Sequence, residues 1–355
     1  MRSQVLFGFL LAAAGLIFSP PLRAQLVDMA IMHSTVMITS EVDPSDAHQS
    51  RRSNGGPMVS HATGFLMFQG LKLTHGQIFL VTNKHILPPE GKQREIKVRV
   101  VVRDTDGASR VEDVSVPVTG ADGKYLPSVR MHPNPETDVA AINIATTAFG
   151  SKFQLLIDAI TTGKRLDTSM LLSMDQLRSA KIGMGSSVYV LGFPAALYDP
   201  RNVSPVLRMG VISTDPEDGY TFNDELRQTT GLPKHIDGFL IDSNVYPGSS
   251  GSLVIAGPES QPRKSPGTAK AAPKGASKSG ASKGALSGVS GGTSGGSDKD
   301  TEWQPYIVGI VAGSIPIFDA PLRSYERIGL GIVYSANTIR EVIQQFDTPR
   351  VSSQR

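Results

Sequence analysis

The stretch Asp242-Ser243-Asn244-Val245-Tyr246-Pro247-Gly248-Ser249-Ser250-Gly251-Ser252, which runs straight into the apolar Leu253-Val254-Ile255, decides how the rest of the chain is read. A Pro-Gly turn, two serines and a glycine between strand-like segments make an awkward hairpin. They make a good mount for one hydroxyl at the tip of a tight loop. Gly248 can take backbone angles closed to other residues, so successive N–H groups can point into one small concavity. An oxyanion needs such a concavity, with Ser250 beside it as the nucleophile. Gly/Ser turns are also common at surfaces, so the stretch alone leaves both readings open.

Two distant segments bear on the choice. Ile78-Phe79-Leu80-Val81-Thr82-Asn83-Lys84-His85 is a strand that stops in a polar turn carrying His85. Thr137-Asp138-Val139-Ala140-Ala141-Ile142 places an acid at the mouth of an alternating strand. A serine nucleophile needs an imidazole to take its proton, and the imidazole needs a carboxylate on its other nitrogen to fix tautomer and orientation. The chain order His85, Asp138, Ser250 differs from that of α/β-hydrolases and of subtilisin-type enzymes. Ser252 also stands where a Gly-x-Ser-x-Gly elbow would end in glycine.

Thr82-Asn83-Lys84-His85, Asp138-Val139-Ala140 and Pro247-Gly248-Ser249-Ser250-Gly251-Ser252 resemble the three signature blocks of chymotrypsin-like (trypsin-like) serine peptidases, in particular the bacterial Do-like branch. Val188-Tyr189-Val190-Leu191-Gly192-Phe193-Pro194 is similar to the strand opening the second barrel there, and Val308-Gly309-Ile310-Val311-Ala312-Gly313-Ser314 to the strand lining the cleft. The resemblance runs from about Met29 to Phe346. It implies an all-β fold of two six-stranded antiparallel β-barrels, with the active site between them and a C-terminal helix. It also implies a triad of His85, Asp138 and Ser250, and an oxyanion hole made by the N–H groups of Gly248 and Ser250. Asn244 would lie at the base of the primary pocket, with Ala312 and Ser314 on its wall. No acid stands at that base, so cleavage after small or medium uncharged residues is expected rather than after Lys or Arg. No cofactor is implied. The chain departs from the family at Ser249, where Asn or Asp is usual, and at Ser252, where glycine is usual. Both substitutes are small enough to keep the loop shape. The PDZ domain that commonly follows in the Do-like branch is not expected.

Bulk properties agree with this reading. Apolar residues make up 39% of the 355-residue chain, and abundant Gly and Pro with short Val/Ile runs favour an all-β architecture. A net charge of +3 without an aromatic-basic stripe does not point to nucleic acid. The absence of cysteine excludes a disulfide framework and thiolate zinc sites. Arg2 followed by the apolar run 5–18, Pro20-Pro21 and Leu22-Arg23-Ala24 reads as a secretory signal over 1–24. Its apolar core is shorter than the ~20 residues a spanning helix needs. A bacterial periplasmic or secreted protein acting on polypeptides is expected, with no stable membrane span once the signal is cleaved.

Residues 25–147 are expected to form the first barrel and 183–346 the second, joined by a connector over 148–182 and followed by a tail over 347–355. Opening strands are expected over Ala30–Met32 and Thr35–Thr39. Ser173-Met174-Asp175-Gln176 reads as a capping box before a short helix. Asn337 is expected to cap a last helix whose Ile339, Val342, Ile343 and Phe346 share one face. The strip 257–300 is Gly, Ser, Ala and Lys with almost no apolar residues, a composition that favours disorder. We read it as an insertion at a hairpin tip rather than an interdomain linker, because loop-closure cost grows by only about 0.6 kcal/mol per doubling of length. His61, His75, His132 and His235 are expected to be loop or surface residues, with no metal-ligand spacing. Asn83 is expected to order the turn around His85. The rival from another class is a catalytically silent module that holds peptides in the same cleft. A protease that processes its own strip is a third reading.

Overall fold

The computed structural model describes residues 29–41, 59–70, 77–103, 109–144, 165–257, 306–319 and 324–347. The signal over 1–24, His75, most of the 257–300 strip and the tail beyond Asp347 lie outside them, as does the connector up to residue 164.

The first half contains α1 (Met29–Ser34), β1 (Thr35–Glu41), β2 (Val59–Gln69), β3 (Gln77–Thr82), β4 (Glu95–Arg103), β5 (Ser109–Pro117), β6 (Val129–Met131) and β7 (Ala140–Asn143). All pairs are antiparallel, in the order β5-β4-β1-β2-β3-β7-β6. Period-two alternation builds the sheet: Ile96, Val98 and Val100 of β4 and Val114 and Val116 of β5 turn inward, while Lys97 and Asp113 face water. The sheet rolls around one core that holds Val116, Val129, Ile38, Leu66, Leu80 and Ile142, taken from both ends of the order and from its middle. It has seven strands rather than the expected six. The extra one, β6, is three residues long and too short to show alternation. Residues 29–34 are helical rather than extended, and Ile31 is buried from that helix.

The second half contains α2 (Met174–Ser179), β8 (Ser187–Gly192), β9 (Val206–Ile212), β10 (Tyr220–Thr221), α3 (Asp224–Thr230), β11 (His235–Ile236), β12 (Gly238–Asp242), β13 (Leu253–Ala256), β14 (Ile307–Asp319), β15 (Ser324–Ser335) and α4 (Ala336–Gln344). Six of these strands close a barrel in the order β12-β15-β14-β13-β8-β9, and β10 pairs with β11 in a separate ribbon. Leu253 pairs with Ile310 and Val254 with Gly309, so the strip after residue 257 falls within a hairpin of one barrel. The capping box before α2 forms as expected, between Ser173 and Gln176.

A core shared by both halves, including Phe65, Phe79, Val81, Leu191, Leu253, Ile310 and Ile339, packs the two barrels together. Ile339, Val342 and Ile343 of α4 are buried in it, and Phe346 lies 5.0 Å from the Phe79 ring. The residue at the helix N-cap is Ser335, not Asn337. Because α4 starts directly where β15 ends, Asn337 falls inside the first turn, where its Oδ1 accepts from Arg340. His132 is a loop residue but not a surface one. Its ring is buried, Nε2 lies 2.7 Å from Glu341 Oε2 of α4, and Nδ1 accepts from the Asn134 N–H. Tyr334 of β15 donates to Glu136 O at 2.7 Å and Gln345 to Met131 O at 3.1 Å, so β15 and the residue after α4 brace β6 and the loop between it and β7. His61 and His235 are exposed, as expected.

Candidate active site

The register of β3 against β7 pairs Thr82 with Ala140, which sets the residues just after β3 opposite those just before β7. Asn83 leaves the strand in extended conformation, and Lys84–Ile86 make one turn of 3-10 helix that presents His85. The buried Asn83 donates from Nδ2 to Asp138 O at 2.6 Å, tying its side chain to the backbone of the facing segment. On this frame the His85 N–H donates to Asp138 Oδ1 at 3.1 Å, and His85 Nδ1 lies 2.5 Å from Asp138 Oδ2. An ionised carboxylate only accepts, so this contact orients the ring with Nδ1 toward Asp138 and Nε2 away from it. Neighbouring Lys84 donates to Asn134 O at 2.7 Å, and partial burial pushes its ammonium down against the opposing pull of Asp138.

The loop from Ser243 to Ser252 joins β12 to β13. Gly248 has φ +90° and a side chain there would meet Phe193 O at 2.5 Å; Gly251 has φ +85° and would meet Thr63 O at 1.8 Å. Only glycine fits either place. The N–H groups of Ser249, Gly251 and Ser252 are used, donating to Tyr246 O, Val311 O and Ser249 O. Those of Gly248 and Ser250 donate to no acceptor among the described residues. The loop therefore offers two unspent donors on either side of one residue.

Ser250 Oγ donates to Ala312 O at 2.9 Å, and no hydrogen bond joins it to His85. The register of β14 against β15 shifts between Val311 and Gly313, so Ala312 is a bulged residue on that stretch. Such a bulge re-aims the local backbone. Of the residues expected around the primary pocket, Ala312 is thus in contact with Ser250, and Asn244 is exposed at the start of the loop. Ser314 is a buried residue two positions further along β14.

Two side chains that sequence reasoning passed over hold the loop. Thr63 of β2 is fully buried. Its N–H donates to Ser250 O at 2.8 Å, its Oγ1 donates to Gly248 O at 2.8 Å, and the same oxygen accepts from Phe193 N at 3.0 Å. A threonine on a strand carries no local signal of such a role. Arg208 of β9 donates through Nη1 to Asn244 O and through Nη2 to Ser249 Oγ at 3.2 Å. A lone cation among Leu207 and Met209 is a faint signal at most. No group of three or more residues suited to a metal occurs among the described residues.

A family model for a trypsin-like peptidase domain matches residues 62–261, more than half of the chain. Comparison with solved structures returned the Rv3671c protease in an inactive form, at 14% identity and TM-score 0.40, covering 90% of this chain and 92% of that one. A serine-to-alanine variant of Rv3671c from M. tuberculosis H37Rv, also inactive, was returned at 12% identity and TM-score 0.39, covering 91% and 92%. A search of the curated proteins returned no match.

Proposed function

The chain belongs to the trypsin-like peptidase domain family, and we propose that it is an exported serine endopeptidase that works through Ser250, His85 and Asp138. The reading is supported by one observation: Thr63, which holds Gly248 O and Ser250 O, also accepts at its own carbonyl from the Thr82 hydroxyl, at the end of the strand that leads into His85 and its partner Asp138. Ser250 Oγ attacks the scissile carbonyl while His85 Nε2 takes its proton. His85 then delivers that proton to the leaving amine, and water repeats the sequence on the acyl-enzyme. Asp138 keeps the imidazole oriented throughout. The N–H groups of Gly248 and Ser250 receive the oxyanion, each worth about 3 kcal/mol.

The chemistry requires the Ser250 hydroxyl to leave Ala312 O and turn to His85. That present contact is also what favours the rival, a silent peptide-holding cleft. Export rests on the apolar N-terminal run, and no described helix is long and apolar enough to cross a membrane. A pocket based on Asn244 and walled by Ala312 and Ser314 carries no acid, which favours cleavage after small or medium uncharged residues. A peptide library cleaved mainly after Lys or Arg would overturn that preference. The two barrels are assigned to 25–147 and 183–346.

A fluorophosphonate probe separates enzyme from silent module. Wild-type protein is expected to label and to hydrolyse an unfolded substrate, and Ser250→Ala to do neither. Wild type that does neither defeats the peptidase reading.

A further inference from the structure

The nucleophile loop is gripped on one side by Thr63 and by the Ala195 N–H, which donates to Pro247 O at 2.6 Å. On the other side stands Arg208. Along β9 the odd residues Leu207, Met209 and Val211 are exposed, so Arg208 lies on the strand's more buried face. Its guanidinium reaches two atoms of the loop, Asn244 O and the Oγ of the fully buried Ser249. Its Nε is buried without a partner among the described residues. No carboxylate lies within ion-pair distance of it among the described residues. Burial pushes the group below the usual arginine range, and the Tyr246 phenol is the titratable neighbour that counters this.

A cation taken partly out of water and held only by neutral acceptors is costly. A planar fork, however, can span two acceptors at once with little loss of freedom, which an ammonium cannot do. Here the two acceptors bracket the turn that carries Gly248, and the second of them immediately precedes Ser250. Ser249 Oγ also accepts from the Tyr246 N–H at 3.3 Å, so Arg208 completes a small polar cluster that closes the turn.

We propose that Arg208 is the positioning residue of the nucleophile loop, fixing Asn244 and Ser249 so that the N–H groups of Gly248 and Ser250 stay turned into the cleft. The inference rests on the peptidase reading above. It also assigns a purpose to Ser249, one of the two residues at which the loop departs from the family pattern: its hydroxyl is an acceptor for this cation.

The test compares full-length wild type with Arg208→Gln, Arg208→Lys, Arg208→Ala, Ser249→Ala and the double variant Arg208→Gln/Ser249→Ala. Displacement of a catalytic frame by about 1 Å costs on the order of 100-fold in rate. We expect Arg208→Gln to lose kcat on that scale with little change in KM, the signature of an interaction realised in the transition state. Arg208→Lys should recover part of it, and added guanidinium should restore part of kcat to Arg208→Ala. The double variant should be no worse than Arg208→Gln alone. Amide exchange should rise at Tyr246 and Ser249 in Arg208→Gln while β8 and β13 keep their protection. Full kcat with unchanged loop exchange in Arg208→Gln overturns the proposal, and so does a loss accompanied by faster exchange throughout the barrel. If wild type neither labels nor hydrolyses, the peptidase reading falls. The exchange measurement then still decides whether Arg208 positions the loop.

Discussion

Replacing Thr63 by valine tests the physical claim on which the site depends, that one hydroxyl from the first barrel holds the loop of the second. The side chain is fully buried, and its Oγ1 donates to Gly248 O at 2.8 Å while accepting from Phe193 N at 3.0 Å. Valine keeps the branched shape but neither bond, leaving one buried carbonyl and one buried N–H without partners. Each such group costs about 1–3 kcal/mol, so the variant should lose roughly 2–6 kcal/mol of stability. That is a large share of the roughly 5–15 kcal/mol typical of a folded protein. Freed at its carbonyl, Gly248 can change its backbone dihedrals, and if its N–H is the proposed oxyanion donor, the displacement lowers kcat by about 100-fold.

Urea unfolding gives the first quantity, read as a lower midpoint at unchanged slope. Steady-state hydrolysis gives the second. Thr63→Ser keeps the hydroxyl and loses one methyl, and should cost only about 1 kcal/mol. A Thr63→Val protein within about 0.5 kcal/mol of wild type, with unchanged kcat, would refute the reasoning.

Three further outcomes follow from the packing around the loop. Ser252 Oγ is buried without a partner among the described residues, so Ser252→Ala should leave stability unchanged or raise it by up to about 2 kcal/mol; a clear loss in denaturant melts would count against it. A side chain at Gly192 would come 1.9 Å from Ser252 Oγ and 2.9 Å from Thr63 Oγ1. Gly192→Ala should therefore destabilise by about 1–3 kcal/mol, and Ser252→Gly in the same chain should recover much of that; no recovery would show the clash to lie elsewhere. Burial pushes the Tyr334 phenol up to about 12 from its ordinary 10.0, partly offset by a hydrogen bond from the Asp138 backbone. Above pH 10 the unfolded chain gives up this proton before the folded one does. Stability is therefore complete below pH 10 and falls as pH rises toward 12, by at most about 3 kcal/mol. Tyr334→Phe should remove that part of the slope in urea midpoints taken across this range, and identical slopes in the two proteins would refute it.

The parts of this protein legible in its sequence are those that depend on neighbours along the chain. The capping box at Ser173, the apolar face of α4 and the glycine-serine turn around Ser250 are local patterns, and the structure bears them out. The approach of His85 to Asp138 was also within reach, because each sits at the end of a recognisable strand. Elements too short to carry a period escaped: the three residues of β6, the six residues of α1, and a cap displaced by two residues where α4 grows directly from β15.

What only the tertiary structure decided is which polar groups far apart along the chain meet. Thr63 and Gly248 are 185 positions apart, and His132 and Glu341 are 209. Arg208 reaches the loop only because β9 flanks the barrel seam beside β12. A buried hydroxyl, imidazole or guanidinium has to find partners, but no local rule says where. Strand register and the contact of one barrel with the other supply those partners. The tight turn that carries Ser250 could thus be read from its own loop, while the means of holding that loop in shape could not.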